Sequence, residues 1–201
     1  WSGEMYNTNG DYLLWVDANL GAMKTDLAIT RDLSYEIIPT SSGKFLAKVT
    51  MTYKHGGTFD WRTTRYRSYA RVYVPEGSKL IKVDGAMEKD KSNKPGKVDE
   101  GVENNYHWFG AFISIEPGKT HQLSFTYLLP NKISDQINAG QYSLFIQKQL
   151  GLLSTDLRLK LNFGKKIVRS ASVKEDKSKL GDNIYEVNSV LKNDREFIIK
   201  F

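Results

Sequence analysis

The run Asp60-Trp61-Arg62-Thr63-Thr64-Arg65-Tyr66-Arg67-Ser68-Tyr69-Ala70-Arg71-Val72-Tyr73-Val74 gathers the side chains of this sequence best suited to gripping another molecule. Read with the two-residue period of an extended strand, Tyr66, Ser68, Ala70, Val72 and Val74 share one face. Arg65, Arg67, Tyr69, Arg71 and Tyr73 share the other, and Trp61 and Arg62 in the preceding loop extend it at one end. Guanidinium forks match carboxylate or phosphate oxygens, and phenol rings stack on sugars or bases. The same pattern also serves plain cross-strand packing, in which Arg stems cover Tyr rings and their heads meet acids on neighbouring strands. A binding face for an acidic polymer and a self-satisfied solvated face are the two readings to separate.

Catalytic chemistry has little material. Cys is absent, which excludes disulfides, thiol nucleophiles and Cys-based zinc sites, and the histidines are His55, His107 and His121. There is no phosphate-cradling glycine loop, no His-Glu-x-x-His and no Gly-x-Ser-x-Gly elbow. Asp17-Ala18-Asn19-Leu20-Gly21 has a passing likeness to a calcium loop, but Gly falls at the fifth place and the distal Glu is missing. His121, in register with Leu123 and Phe125, reads as a packed core histidine. The aromatic run Asn104-Asn105-Tyr106-His107-Trp108-Phe109 would stack on carbohydrate if exposed, and reads as core by its density. The expectation is no catalytic residue, no metal and no cofactor.

The elements that must position these residues are strands. Phe45, Ala47, Val49, Met51 and Tyr53 alternate with Leu46, Lys48, Thr50 and Thr52; Leu157, Leu159, Leu161 and Phe163 alternate with Arg158, Lys160 and Asn162. A helix would scatter these sets around its circumference, whereas a strand keeps each on one side. Similar signals recur at about ten-residue spacing between breakers such as Ser41-Ser42-Gly43, Pro75-Glu76-Gly77 and Glu116-Pro117-Gly118. Only Asn131–Ala139 has room for a helical turn or two. The pattern predicts an all-β, antiparallel, immunoglobulin-like β-sandwich with an additional C-terminal hairpin. Its divisions would be an N-terminal segment (1–25), a sandwich core (26–163) and C-terminal strands packed on one edge (164–201). The predicted core comprises Phe45, Val49, Met51, Tyr53, Val72, Val74, Ile113, Leu123, Phe125, Tyr127, Leu144, Ile146, Leu157, Leu159 and Leu161. Met87–Glu103, rich in Lys, Asp and Glu, reads as an exposed mobile loop.

With 201 residues the chain fits one large domain or two small ones, and its formal charge of +6 favours acidic partners over basic ones. A second basic cluster, Lys165, Lys166, Arg169, Lys174, Lys177 and Lys179, reads as a solvated hairpin protecting a sheet edge. No stretch is long and apolar enough to span a bilayer. The abrupt start at Trp1 and the end inside an alternation at Phe201 suggest a piece of a longer chain.

Several strings together resemble a known family. Asp11-Tyr12-Leu13-Leu14-Trp15-Val16-Asp17-Ala18-Asn19-Leu20-Gly21 with Lys24-Thr25-Asp26 is similar to the C-terminal region of bacterial proteins carrying the "domain of unknown function 4012". So are Thr52–His55 leading into Asp60-Trp61-Arg62, Tyr69–Ser78, Tyr127–Pro130 and Tyr142–Gln149, a likeness spanning roughly residues 11–163. The resemblance implies an extracytoplasmic module of an envelope protein, held at the membrane only through an anchor elsewhere in the parent protein. It transfers no site residues. The resulting expectation is a non-catalytic module for adhesion, scaffolding or glycan contact, with an anionic surface polysaccharide or another envelope protein as partner and nucleic acid disfavoured. The rival is an enzyme acting on cell-wall or surface polysaccharide.

Overall fold

Alternation in the sequence becomes alternation in burial along nearly every strand. The computed structural model describes residues 4–21, 23–171 and 181–201. In chain order the strands are β1 (Asp11–Asn19), β2 (Ile29–Pro39), β3 (Phe45–His55), β4 (Tyr66–Pro75), β5 (Lys79–Asp84), β6 (Val98–Glu103) and β7 (Tyr106–Ile115). They continue with β8 (Thr120–Leu128), β9 (Gln141–Gln147), β10 (Thr155–Asn162), β11 (Arg169–Ala171), β12 (Ile184–Leu191) and β13 (Arg195–Lys200). A short 3-10 helix (Lys24–Ala28) follows β1, and α1 (Asn131–Asn138) occupies the stretch expected to hold a helical turn.

The strands form two sheets, ordered β11-β13-β9-β1-β4-β7-β6 and β12-β10-β2-β3-β8-β5. All fifteen residues of the predicted core are buried, in one cluster drawn from both sheets. The all-β class therefore holds, with two departures. The sheets are mixed, not antiparallel: β9 lies parallel to β1 and β10 parallel to β2. Side-chain alternation has the same period in both ladders, so the sequence carries no signal that distinguishes them. The C-terminal strands also do not form a hairpin on one edge. β12 pairs with β10 at the edge of the six-stranded sheet, while β13 pairs with β9 inside the seven-stranded sheet. Tyr185, Val187 and Leu191 on one strand and Phe197 and Ile199 on the other thereby close the same core from opposite sides.

Met87–Glu103 is likewise not a free loop. Its second half is β6, joined to β7 by a tight turn whose Asn104 and Asn105 have φ of 51° and 63°, a conformation Asn tolerates. Its first half folds back through a Met87–Pro95 bridge, and Asp90 accepts a hydrogen bond from Ser114 Oγ at 2.7 Å.

Polar side chains pin the sheets together inside the core. Asp11 on β1 accepts hydrogen bonds from Tyr35 and Tyr142, both at 2.6 Å, and from the Tyr12 amide. Asp17, also on β1, pairs with Arg31 of β2 at 2.7 Å and accepts the Tyr53 hydroxyl at 2.6 Å. Burial would push the Arg31 guanidinium down, but Asp17, Tyr66 and Asp26 around it hold it well above its ordinary value.

Candidate functional site

Because β1, β4, β7 and β9 send alternate residues inward, their remaining side chains tile the outer face of the seven-stranded sheet. Register aligns them in rows: Leu14 beside Tyr73 beside Trp108, Val16 beside Arg71 beside Gly110, and Tyr12 beside Phe145. The glycines leave room for rings to lie flat. A Cβ at Gly101 would stand 2.9 Å from the Trp108 ring, and one at Gly110 would stand 2.7 Å from the Tyr69 hydroxyl. Tyr12 stacks on Tyr106 with centroids 3.9 Å apart, and Phe145 stacks on Tyr6 at 4.0 Å. The result is a second apolar cluster, outside the sandwich core, built on Tyr12, Leu14, Tyr73 and Tyr106.

Residues 4–10 lie across one end of this face. The Tyr106 hydroxyl donates to the Tyr6 carbonyl at 2.6 Å, and Gln147 accepts from the Tyr6 amide at 2.9 Å and the Tyr12 hydroxyl at 2.6 Å. A groove of about 930 Å³ opens between this segment, Leu14 and Val16 of β1, and the β12–β13 turn with Lys192 and Asp194.

The predicted ladder is on this face, in the predicted phase, and the structure divides it. Arg65 is bound by Glu116 at 2.6 Å and by Asp90 at 3.3 Å, and Arg67 by Asp90 at 2.7 Å. These contacts hold the Asp90 carboxyl below its usual range, Arg67 contributing most. Tyr69 donates to Asp99 at 2.8 Å, and burial with that bond raises its phenol to about 12. Tyr73 is buried and donates to Glu103 at 3.1 Å. Arg71 is held more loosely: its guanidinium lies 4.4 Å over the Trp108 ring and 5.7 Å over Tyr69, with Glu103 no closer than 3.8 Å. Trp61 is 82% exposed in the loop before β4, with Arg62 stacked over it at 5.1 Å. It stands apart from the aromatic rows.

Tyr12 and Phe145 are the members that sequence reasoning missed, and Tyr106 and Trp108 are members that it read as core. Phase could have found the last two: with Phe109 inside, Tyr106 and Trp108 must face out. Of the histidines, His55 is buried, with Nε2 bonded to the Thr64 carbonyl and Nδ1 to the Gly57 amide. His121, half-buried, bonds the Gly85 carbonyl, and His107 stands 3.4 Å from Glu100 at the sheet's end. Among the described residues no group of three or more His, Asp or Glu side chains is arranged to hold a metal ion. Lys174, Lys177 and Lys179 of the second basic cluster lie outside the described residues.

No protein-family model and no curated protein sequence matches the chain. Solved structures align with it at low identity. A candidate nutrient-binding protein from Legionella pneumophila superposes with a TM-score of 0.54 at 7% identity, over 95% of this chain and 71% of that one. A candidate protease from Parabacteroides distasonis aligns with a TM-score of 0.42 at 9% identity, over 87% of this chain and 41% of that one. An M1 zinc metallopeptidase from Deinococcus radiodurans gives 0.33 at 8% identity, over 86% and 42%. The chain thus spans about two fifths of each peptidase.

Proposed function

We propose that this domain is a non-catalytic binding module of an extracytoplasmic bacterial envelope protein, contacting an acidic surface polysaccharide through the outer face of its seven-stranded sheet. The observation that carries the reading is Arg71. Its side chain is 39% exposed, it rests on the Trp108 ring, and its carboxylate partner stands at 3.8 Å. A sugar ring can lie against the half-buried Trp108 and Tyr69 rings while a uronate or phosphate group replaces Glu103 at the guanidinium. The tyrosine hydroxyls flanking it are already committed, Tyr69 to Asp99 and Tyr73 to Glu103, so the guanidinium supplies the polar contact. Arg65 and Arg67 are left out of the contact, because Asp90 and Glu116 already engage them.

The envelope location rests on the resemblance of residues 11–163 to the C-terminal region of domain-of-unknown-function-4012 proteins. The absence of catalytic activity rests on the lack of nucleophile, base and metal-ligand spacings in the sequence. The two-sheet layering supports reading the domain as a distant variant of the immunoglobulin-like sandwich, while its strand orders, with two parallel contacts, depart from the seven- or nine-stranded immunoglobulin pattern.

A glycan array carrying polyuronates, teichoic acids and neutral glucans tests the reading. Binding to the acidic polymers, lost in Arg71→Gln and weakened by salt, is the expected result. Turnover of a wall polymer by the purified domain, or preference for neutral glucans, would overturn it.

A further inference from the structure

We propose that one end of the sandwich, remote in role from the sugar-contacting face, docks on an anionic lipid surface. At this end the chain crosses between the sheets five times: β1 to β2, β3 to β4, β7 to β8, β9 to β10 and β12 to β13. Strand register places the crossings together, with Asn19 beside Ser68, Ile29 beside His55, Tyr66 beside Ile115 and Thr155 beside Leu191.

Two independent observations mark this end. The first is apolar. Leu20, Leu27, Phe59, Trp61, Leu150 and Leu153 all sit in these crossings and are 47% to 92% exposed. They are half of the large apolar side chains that the described residues expose, and most of the others are scattered along strands. Single exposed apolar side chains need no explanation, but such a concentration on loop tips marks an interaction site.

The second is charge. Of the four acids in these crossings, Asp26 and Glu116 are paired with Arg31 and Arg65, while Asp60 and Asp194 accept backbone amide hydrogen bonds and keep their charge, so the unpaired cations outnumber the unpaired acids. Among the described residues, Lys24, Arg62, Lys119 and Lys192 have no ion-pair partner. Apolar tips, a tryptophan and free cations at one end match the layering of a bilayer, with acyl chains below and anionic headgroups above. A second copy fits poorly, because an end-to-end contact would set these cations against their own duplicates.

The test is co-sedimentation of the whole chain with vesicles of phosphatidylcholine alone, and of phosphatidylcholine mixed with phosphatidylglycerol. The expected result is sedimentation with the mixed vesicles, weakened by salt. Leu153→Ser and Trp61→Ser should each lower the partition coefficient by about tenfold, the scale of one large apolar side chain leaving a nonpolar environment. Lys24→Gln with Lys119→Gln should lower it too, while Trp108→Ala leaves it unchanged, which separates this surface from the sugar-contacting face. These loop side chains are exposed, so unchanged thermal melting will show the variants folded. Three results would overturn the proposal: no sedimentation with either vesicle, equal sedimentation of the loop variants and the parent chain, or self-association that Leu153→Ser abolishes.

Discussion

Asp11→Asn should change the stability of this protein in a pH-dependent way that few other substitutions can mimic. Asp11 is fully buried, and burial raises its carboxyl from 3.8 to about 6 against the opposing hydrogen bonds from Tyr142, Tyr35 and the Tyr12 amide. A carboxyl whose folded value lies above its unfolded value favours the native state in acid. That contribution is complete below the unfolded value and is lost as pH rises through about 6. The gap corresponds to roughly 3 kcal/mol at 1.36 kcal/mol per pH unit. Asparagine keeps the shape and can donate to both tyrosine oxygens, so it removes the titration without opening a cavity. Urea denaturation of both proteins should show the variant gaining about 2–3 kcal/mol on the parent chain between about pH 4 and about pH 8. A difference that stays flat across that range would refute the reasoning, and a gain in acid would show that the tyrosine hydroxyls outweigh burial.

The buried pair predicts a larger loss: Arg31→Met leaves the buried Asp17 without its counter-charge and should cost about 3–5 kcal/mol in chemical denaturation at neutral pH. Arg67→Gln should cost less than about 1 kcal/mol in the same assay, since the pair is partly solvated and Asp90 keeps Arg65 and Ser114. Gly110→Ala should displace the Tyr69 ring and break its bond to Asp99, lowering stability by about 1 kcal/mol and weakening polysaccharide binding measured by calorimetry.

Strands were legible wherever one face is wholly apolar, as in Phe45–Tyr53 and Leu157–Leu161, because burial then admits a single phase. Direction was not legible, since β1 beside β9 and β2 beside β10 depend on where distant segments land. β1 and β2 read weakly for a different reason: Asp11, Asp17 and Arg31 stand in phase with Leu13, Trp15 and Leu33, so charge interrupts the core face. Opposite charges in the inward phase of two strands are themselves a signal of a buried pair. The Arg/Tyr ladder was placed on the correct face from β4 alone. Its ion partners were hidden because Asp90, Asp99 and Glu103 come from a segment that read as a loop. The aromatic rows were hidden because they assemble from four strands, none of which shows more than two of the rings.

Calorimetric titration of an oligouronate into the parent chain, Arg71→Gln, Trp108→Ala and the pair Lys177→Glu with Lys179→Glu tests the proposed face most directly. The account predicts that Arg71→Gln and Trp108→Ala each weaken binding by about tenfold or more, the scale of one lost stacking or charge-assisted contact, and that the lysine pair leaves it nearly intact. Full affinity in the first two with loss in the lysine pair would contradict it.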